Sequence, residues 1–340
     1  MDIRTNIPLR AHTTMKLGGP ARFFVDIHQK DELPGLFERA AKQSLPVYIL
    51  GGGSNLIVKD EGFQGIIAHM KIPGFEIVAE DAGSKTIHIG AGENWDDVVK
   101  RSVDLGLSGI EAMSGIPGST GATPVQNVGA YGQEIADTLV SLEAFDTKTG
   151  GFVTLSRNDC NFSYRQSIFR GDASGRYVIT STTLRLSKNQ PAPPFYASLQ
   201  AYLDEHTISL YTVETIREAV LAIRAEKLPS VNDKPSAGSF FKNALVEEWL
   251  YNDLLKQHPD MPGFAMGNGT WKIPSGWLIE HAGLKGKLLH GIRVYDKNAL
   301  VLVNESASTY QDLANARDEI TRTVQTAFRI QLEQEPLELA

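Results

Sequence analysis

The sequence predicts an α+β fold, and three observations carry that expectation. The first seventy residues read as strand, helix, strand, glycine loop, strand. Residues 75–186 are strand-heavy around a single amphipathic helix. Within them, residues 115–132 hold five glycines, two prolines and no charge, with neither helical nor strand periodicity.

The elements follow in chain order. Residues 1–20 form a turn-rich entry around Thr13-Thr14-Met15-Lys16-Leu17-Gly18-Gly19-Pro20. Residues 22–27 read as a strand. Residues 31–43 read as a helix, with acids in its first turn and Leu33, Leu36, Phe37, Ala40 and Ala41 as its stripe. A buried strand at 46–50 runs into Gly51-Gly52-Gly53-Ser54-Asn55-Leu56, and a short strand follows at 65–69. A glycine loop straight after a buried strand suits phosphate binding, because its backbone N–H groups can face an anion. It is neither a Walker loop nor Gly-x-Gly-x-x-Gly.

Strands at 75–79 and 85–90 flank the turn Asp81-Ala82-Gly83. Residues 93–105 form a helix through Trp95, Val98, Val99 and Val103, stopped by Gly106. Residues 140–147 and 152–155 pair across Lys148-Thr149-Gly150-Gly151, and 177–186 is a long strand rich in Thr, Val and Ile. A boundary falls at the proline-rich 188–194. Beyond it come helices at 215–227, 245–256 and 275–282, a buried strand at 300–303 and a helix at 309–328. The last is opened by Thr309-x-x-Asp312. Residues 235–243 form a second loop that mixes polar groups with aromatics.

A chain of 340 residues, 42% hydrophobic and 21% charged, can bury a real core in two or three domains. A net charge of −7 argues against nucleic acid as a partner, which needs a basic face. The single cysteine, Cys160, excludes an intrachain disulfide and a multi-cysteine metal site, and reads as a small half-buried hydrophobe. The eight histidines lack paired ligand spacing, so no metal is expected. No apolar run is long enough to span a bilayer, and Met1-Asp2-Ile3-Arg4 carries no signal-peptide pattern. A cytoplasmic protein without a membrane partner is expected. The uncharged glycine stretch suits a wall of backbone N–H groups against a large polyanionic ligand, such as a pyrophosphate or a flavin.

Several motifs occur in a family's order. They are Gly51-Gly52-Gly53-Ser54-Asn55, Gly90-Ala91-Gly92-Glu93-Asn94-Trp95, Gly115-Ile116-Pro117-Gly118 and Pro124-Val125-Gln126-Asn127-Val128-Gly129-Ala130-Tyr131-Gly132. Tyr164-Arg165-x-Ser167, Arg224-x-x-Lys227-Leu228-Pro229, Gly238-Ser239-Phe240-Phe241-Lys242-Asn243 and Leu332-Glu333-x-Glu335 follow. Together, from about Thr13 to Glu335, the chain resembles the UDP-N-acetylenolpyruvoylglucosamine reductases, also called UDP-N-acetylmuramate dehydrogenases. The resemblance implies a two-subdomain FAD-binding fold of the vanillyl-alcohol oxidase and p-cresol methylhydroxylase type, plus a C-terminal α+β substrate-binding domain. The implied boundaries are 1–72 and 73–188 for the FAD-binding subdomains, with 17–188 the combined domain, and 189–340 for the substrate domain. The C-terminal tail returns to the active site.

The resemblance also implies noncovalent FAD, NADPH as hydride donor, and UDP-N-acetylglucosamine enolpyruvate as the substrate reduced to UDP-N-acetylmuramate. The chain is expected to act as a monomer. The FAD diphosphate is placed against Gly51, Gly52, Gly53, Ser54, Asn55 and Leu56. It also meets Gly115, Ile116, Pro117, Gly118, Thr120, Gly121 and Ala122. Gln126, Asn127, Gly129, Ala130, Tyr131 and Gly132 turn toward the flavin ring. Arg165 matches the family's carboxylate-binding arginine, Ser239 its proton donor and Glu335 its second acid. The shifted proline of Leu332-Glu333-Gln334-Glu335-Pro336 leaves Glu333 as the alternative acid. Tyr131 and Tyr164 line the sugar and flavin cleft. Tyr196, on the extra tyrosine-bearing excursion, and Lys227 take the uridine diphosphate. Asn243 and Asn298 add polar contacts. The alternatives are another flavin oxidase or dehydrogenase of the same fold, and a UDP-sugar-binding protein without redox chemistry.

Overall fold

A computed structural model describes residues 1–230 and 233–340. The chain divides into two compact units, each drawing on separated stretches of sequence. The first comprises Met1–Ile7, Ala21–Gly52 and Gln64–Ala225; the second comprises Pro8–Pro20, Gly53–Phe63 and Glu226–Ala340.

Two sheets organise the first unit. One runs in the order Arg4–Pro8, Pro20–Ile27, Phe63–Met70, Val47–Leu50. Its last pair is parallel, with Val47 opposite Ile66 and Leu50 opposite His69. The turn-rich entry thus contains a strand, Arg4–Pro8, that its polar sequence did not announce. The expected helix forms as Glu32–Lys42 and buries Leu33, Leu36 and Ala40. The second sheet is antiparallel, in the order Gly151–Ser156, Leu139–Asp146, Tyr177–Ser187, Ser84–Gly90, Phe75–Glu80. The expected hairpin joins its first two strands in register from Ser141 opposite Ser156 to Asp146 opposite Gly151.

The helix Trp95–Asp104 starts at Asn94, whose side chain accepts the Asp97 N–H at 3.1 Å, an N-cap. Its apolar face, Trp95, Val98, Val99 and Val103, joins Ile87, Ile89, Leu142 and Leu184 in one core. Helices Ala197–Glu205 and Val213–Lys227 form a smaller cluster through Leu199, Leu203, Ile216, Val220 and Ile223. The first of these went unpredicted, because its buried stripe is only Leu199 and Leu203.

In the second unit, one sheet runs Ser236–Ser239, Val301–Asn304, Ile292–Val294, Leu288–Leu289, and a three-stranded sheet runs Ala244–Glu247, Thr270–Ile273, Phe264–Gly267. The helix expected at 245–256 is therefore corrected. Ala244–Glu247 is a strand, and the helix is Glu248–Gln257. Ala244 and Val246 point inward while Leu245 and Glu247 face out, a period of two too short to stand out beside the apolar residues that follow. Helix Tyr310–Phe328 begins with the expected capping box. Thr309 Oγ1 accepts the Asp312 N–H at 3.1 Å, and Asp312 accepts the Thr309 N–H at 3.0 Å. The chain ends in Leu337–Leu339, paired in parallel with Leu56–Val58.

Candidate active site

In the first unit, the strand Val47–Leu50 delivers Gly51 and Gly52 onto the long glycine stretch. A Cβ on Gly51 would lie 2.5 Å from Ser119 Oγ, and one on Gly52 would lie 2.7 Å from Gly118 Cα. Gly51 therefore leaves room for a serine side chain, and Gly52 for the Gly118 backbone. The stretch itself folds as two short 3-10 turns, Thr120–Ala122 and Pro124–Gln126, and a two-residue strand, Gly129–Ala130. Asn127 adopts left-handed backbone geometry with φ +46°. Its side chain makes that tolerable: Oδ1 accepts the Ala136 N–H at 3.2 Å and Nδ2 donates to the Ser163 carbonyl at 3.2 Å.

The Tyr164-Arg165-x-Ser167 segment is stitched to the same stretch. Arg165 donates to the Gly129 carbonyl at 3.1 Å and reaches the Asn127 carbonyl at 3.5 Å. Ser167 Oγ donates to the Val125 carbonyl at 2.5 Å, and Arg170 donates to Gln126 Oε1 at 2.8 Å. The Arg165 guanidinium lies 5.5 Å from the centre of the Tyr164 ring. Tyr131 meets Tyr196 edge to face at 6.2 Å, and Tyr164 and Tyr196 are both exposed.

A polar cluster to which the sequence assigned no role holds the start of the stretch. Asp96 accepts the Gly115 N–H at 2.7 Å and the Arg217 fork at 2.6 and 2.9 Å. Burial opposes ionisation of Asp96, but Arg217 and the Gly115 N–H outweigh it and keep the carboxyl below its usual range. Arg224 donates to the Gly115 carbonyl at 2.9 Å. Arg224 belongs to the Arg-x-x-Lys-Leu-Pro motif, and its spacing of seven from Arg217 on one helix was the available signal.

The remaining candidates belong to the second unit. A Cβ on Gly53 would lie 2.0 Å from the His12 carbonyl oxygen, and the Asn55 carbonyl accepts the Leu337 N–H at 3.0 Å. Ser239 is half-buried and ends the strand Ser236–Ser239, opposite Val301. Phe240 and Phe241, both buried, anchor the chain just after it. The tail runs alongside: Glu335 N–H donates to the Phe240 carbonyl at 2.9 Å, one residue from Ser239. Glu333 is exposed and pairs with Lys242. Asn243 Oδ1 accepts the Ser275 N–H at 3.2 Å at the head of helix Ser275–His281, and Asn298 Oδ1 accepts the Leu300 N–H at 3.1 Å. Lys227 is exposed at the end of its helix.

The structure thus gathers Gly51, Gly52, the residues of 115–132, Tyr164, Arg165 and Tyr196 in one unit. It gathers Gly53, Ser54, Asn55, Leu56, Lys227, Ser239, Asn243, Asn298 and Glu335 in the other. The donor set of the first unit fits the diphosphate and ring of FAD. Residues 115–132 carry no carboxylate, Arg165, Arg170 and Arg224 flank them, and Asp96 is neutralised by Arg217. Among the described residues no group of three His, Cys, Asp or Glu is placed to hold a metal, and no helix is long and apolar enough to cross a membrane.

Comparison with known proteins agrees with this chemistry. The model of an FAD-binding domain matches residues 21–156, and the model of the C-terminal domain of UDP-N-acetylenolpyruvoylglucosamine reductase matches 230–338. A reductase of that name from Ralstonia nicotianae is 37% identical over 333 residues, covering 97% of each chain. Another, from Neisseria gonorrhoeae, is 39% identical over 335 residues, covering 98% of this chain and 96% of its own. The crystal structure of the Thermus caldophilus enzyme superposes with a TM-score of 0.68 at 25% identity, covering 100% of both chains.

Fold and loops define an FAD-dependent oxidoreductase, with an FAD-binding domain followed by a C-terminal α+β domain. The chain belongs to the UDP-N-acetylenolpyruvoylglucosamine reductase family. It reduces UDP-N-acetylglucosamine enolpyruvate to UDP-N-acetylmuramate, a step of peptidoglycan precursor synthesis, with FAD as cofactor and NADPH as hydride donor.

Proposed function

We propose that Arg165, Ser239 and Glu335 divide the work of this reduction. FAD, when bound, supplies the hydride carrier between NADPH and the enol ether. The residues of this chain handle charge and proton. Hydride arrival at the β-carbon leaves negative charge on the α-carbon, delocalised into the adjacent carboxylate. Arg165 takes that carboxylate, because a guanidinium forks onto carboxylate oxygens and strengthens its hold as charge grows. Ser239 then gives its hydroxyl proton to the α-carbon. A serine can do so only toward a strongly basic carbon kept from bulk water. Glu335 is the acid beside the carboxylate. Its backbone bond next to Ser239, together with the pairing of Glu333 with Lys242, favours it over Glu333.

The observation that carries this reading is Arg165 held on the Asn127 and Gly129 carbonyls. That contact fixes the cation on the stretch read as the flavin wall, before any substrate arrives. Tyr131 and Tyr164 line the sugar side, Tyr196 and Lys227 take the uridine diphosphate, and Asn243 and Asn298 add polar contacts. Residues 1–72 and 73–188 are read as the flavin-binding subdomains and 189–340 as the substrate domain, although the compact units divide the chain differently, with 189–225 in the first and Gly53–Phe63 in the second. The chain is read as a cytoplasmic monomer without a membrane partner, and its net charge of −7 argues against nucleic acid.

The test is NADPH oxidation by the purified yellow protein, with and without UDP-N-acetylglucosamine enolpyruvate. Oxidation should depend on the enol ether and yield UDP-N-acetylmuramate. Rapid oxidation supported by oxygen alone would favour an oxidase. A colourless protein that binds UDP-sugars would favour the binding role.

A further inference from the structure

We propose that Glu338 is a positioning residue that pins the register of the C-terminal strand and so holds Glu335 in place. The proposal rests on the reading of Glu335 as the acid beside the substrate carboxylate. The strand Leu337–Leu339 is short and pairs with Leu56–Val58 in a sheet of two. Such a ribbon is marginal by itself. Its backbone bonds do not distinguish one register from the next, because each non-proline residue offers the same N–H and C=O groups. A slip of one residue would move the chain about 3.3 Å and turn each side chain to the other face. Glu335, just before the strand, would move with it.

Side chains remove that ambiguity. Glu338 stands opposite Ile57, and one of its carboxylate oxygens accepts the Tyr310 hydroxyl at 2.6 Å and Arg317 at 3.2 Å. The other oxygen pairs with Lys59 at 3.3 Å. Tyr310 and Arg317 lie on one helix, and Asp60 fixes its start by accepting the Tyr310 N–H at 2.7 Å. A single surface ion pair contributes little, but three donors converging on one carboxylate act as a network. Arg317 Nη1 also donates to Gln334 Oε1 at 3.1 Å, and Gln334 Nε2 donates to the Pro336 carbonyl at 2.9 Å. Gln334 therefore spans Glu335, from the residue before it to the residue after it. Upstream, buried Ile330 and Leu332 fasten the incoming chain in the core. Glu335 is thus carried between an apolar anchor and a polar one, and the influence of Glu338 on the reaction passes through the strand.

The test compares Glu338→Ala, Glu338→Gln and Glu335→Gln by two readouts. One is hydrogen exchange of the Glu335, Leu337 and Lys59 N–H groups, which donate to the Phe240, Asn55 and Leu339 carbonyls. The other is the pair of half-reactions, flavin reduction by NADPH and flavin reoxidation by the enol ether. Glu338→Ala should speed exchange at all three groups and slow reoxidation by about 10–10²-fold, the scale of a misplaced reacting group, with NADPH reduction at the parent rate. Glu338→Gln can keep the Tyr310 bond and should recover part of both effects, and it keeps the test decisive should the alanine variant fold poorly. Unchanged exchange, or equal slowing of both half-reactions, would overturn the role of Glu338. So would faster exchange with reoxidation at the parent rate while Glu335→Gln slows it. Reoxidation at the parent rate in Glu335→Gln would instead overturn the reading of Glu335 as the acid, and faster exchange would then support the pinned register alone.

Discussion

Arg165 and Gly129 are joined by a hydrogen bond of 3.1 Å from guanidinium to carbonyl. A residue from one loop is thus seated on the backbone of another, and the cation proposed to bind the substrate carboxylate is set in place by the stretch proposed to face FAD. Arg165 is itself left-handed, with φ +56°. Arg165→Lys cannot both hold this seat and fork onto a carboxylate. Steady-state assays should show kcat/KM down about 10²–10³-fold, the cost of removing one preorganised charge-stabilising donor, with flavin content unchanged. A lysine variant within threefold of the parent would remove Arg165 from the charge-stabilising role.

Gly51 and Gly52 should differ in what they tolerate. An added Cβ at Gly51 meets a serine hydroxyl that can rotate, whereas at Gly52 it meets the Gly118 backbone. Gly52→Ala should cost about 1–3 kcal/mol of stability, as overpacking does, and should lower flavin retention. Gly51→Ala should be milder on both counts. Thermal melts and flavin content after gel filtration measure the ranking, and the reverse order would contradict the packing argument.

Asp146 sets an acid limit. Arg176 binds its buried carboxyl at 2.7 and 3.0 Å and holds its pKa down to about 2, against an ordinary 3.8. A pKa lowered by folding contributes stability above the unfolded value and loses it as pH falls through the folded one. The Tm advantage of the parent over Asp146→Asn should therefore be full above about pH 4 and shrink between pH 4 and 2. An advantage constant across that window would show that the pair does not titrate this way.

Cys160 is fully buried rather than half-buried, and burial, with a smaller push from Asp159, raises its thiol to about 12. The folded protein should resist iodoacetamide at pH 8 and react once unfolded in urea, as read by mass spectrometry. Modification of the folded protein would contradict its burial.

Elements with a long, regular stripe were legible in the sequence: 31–43, 93–105 and 309–328 all form helices, within two residues at either end. Elements with only two inward residues were not. Ala197–Glu205 buries Leu199 and Leu203, and Ala244–Glu247 shows two turns of alternation before an apolar helix. In the candidate site, the absence of charge and of period in 115–132 marked the stretch as special. Asp96 stayed hidden, and Arg224 was visible only as a motif residue without a role, because the convergence of both on Gly115 is a tertiary fact. The sequence likewise leaves Glu333 and Glu335 both open, because the pairing of Glu333 with Lys242 is not visible in it.

The division of labour is tested most directly by following the two half-reactions of Ser239→Ala separately in a stopped-flow spectrometer. NADPH should bleach the yellow variant at close to the parent rate. Reoxidation of the bleached protein by UDP-N-acetylglucosamine enolpyruvate should slow by about 10²-fold or more, the range for loss of a positioned proton donor. Equal slowing of both half-reactions, or reoxidation at the parent rate, would contradict the assignment of the proton to Ser239.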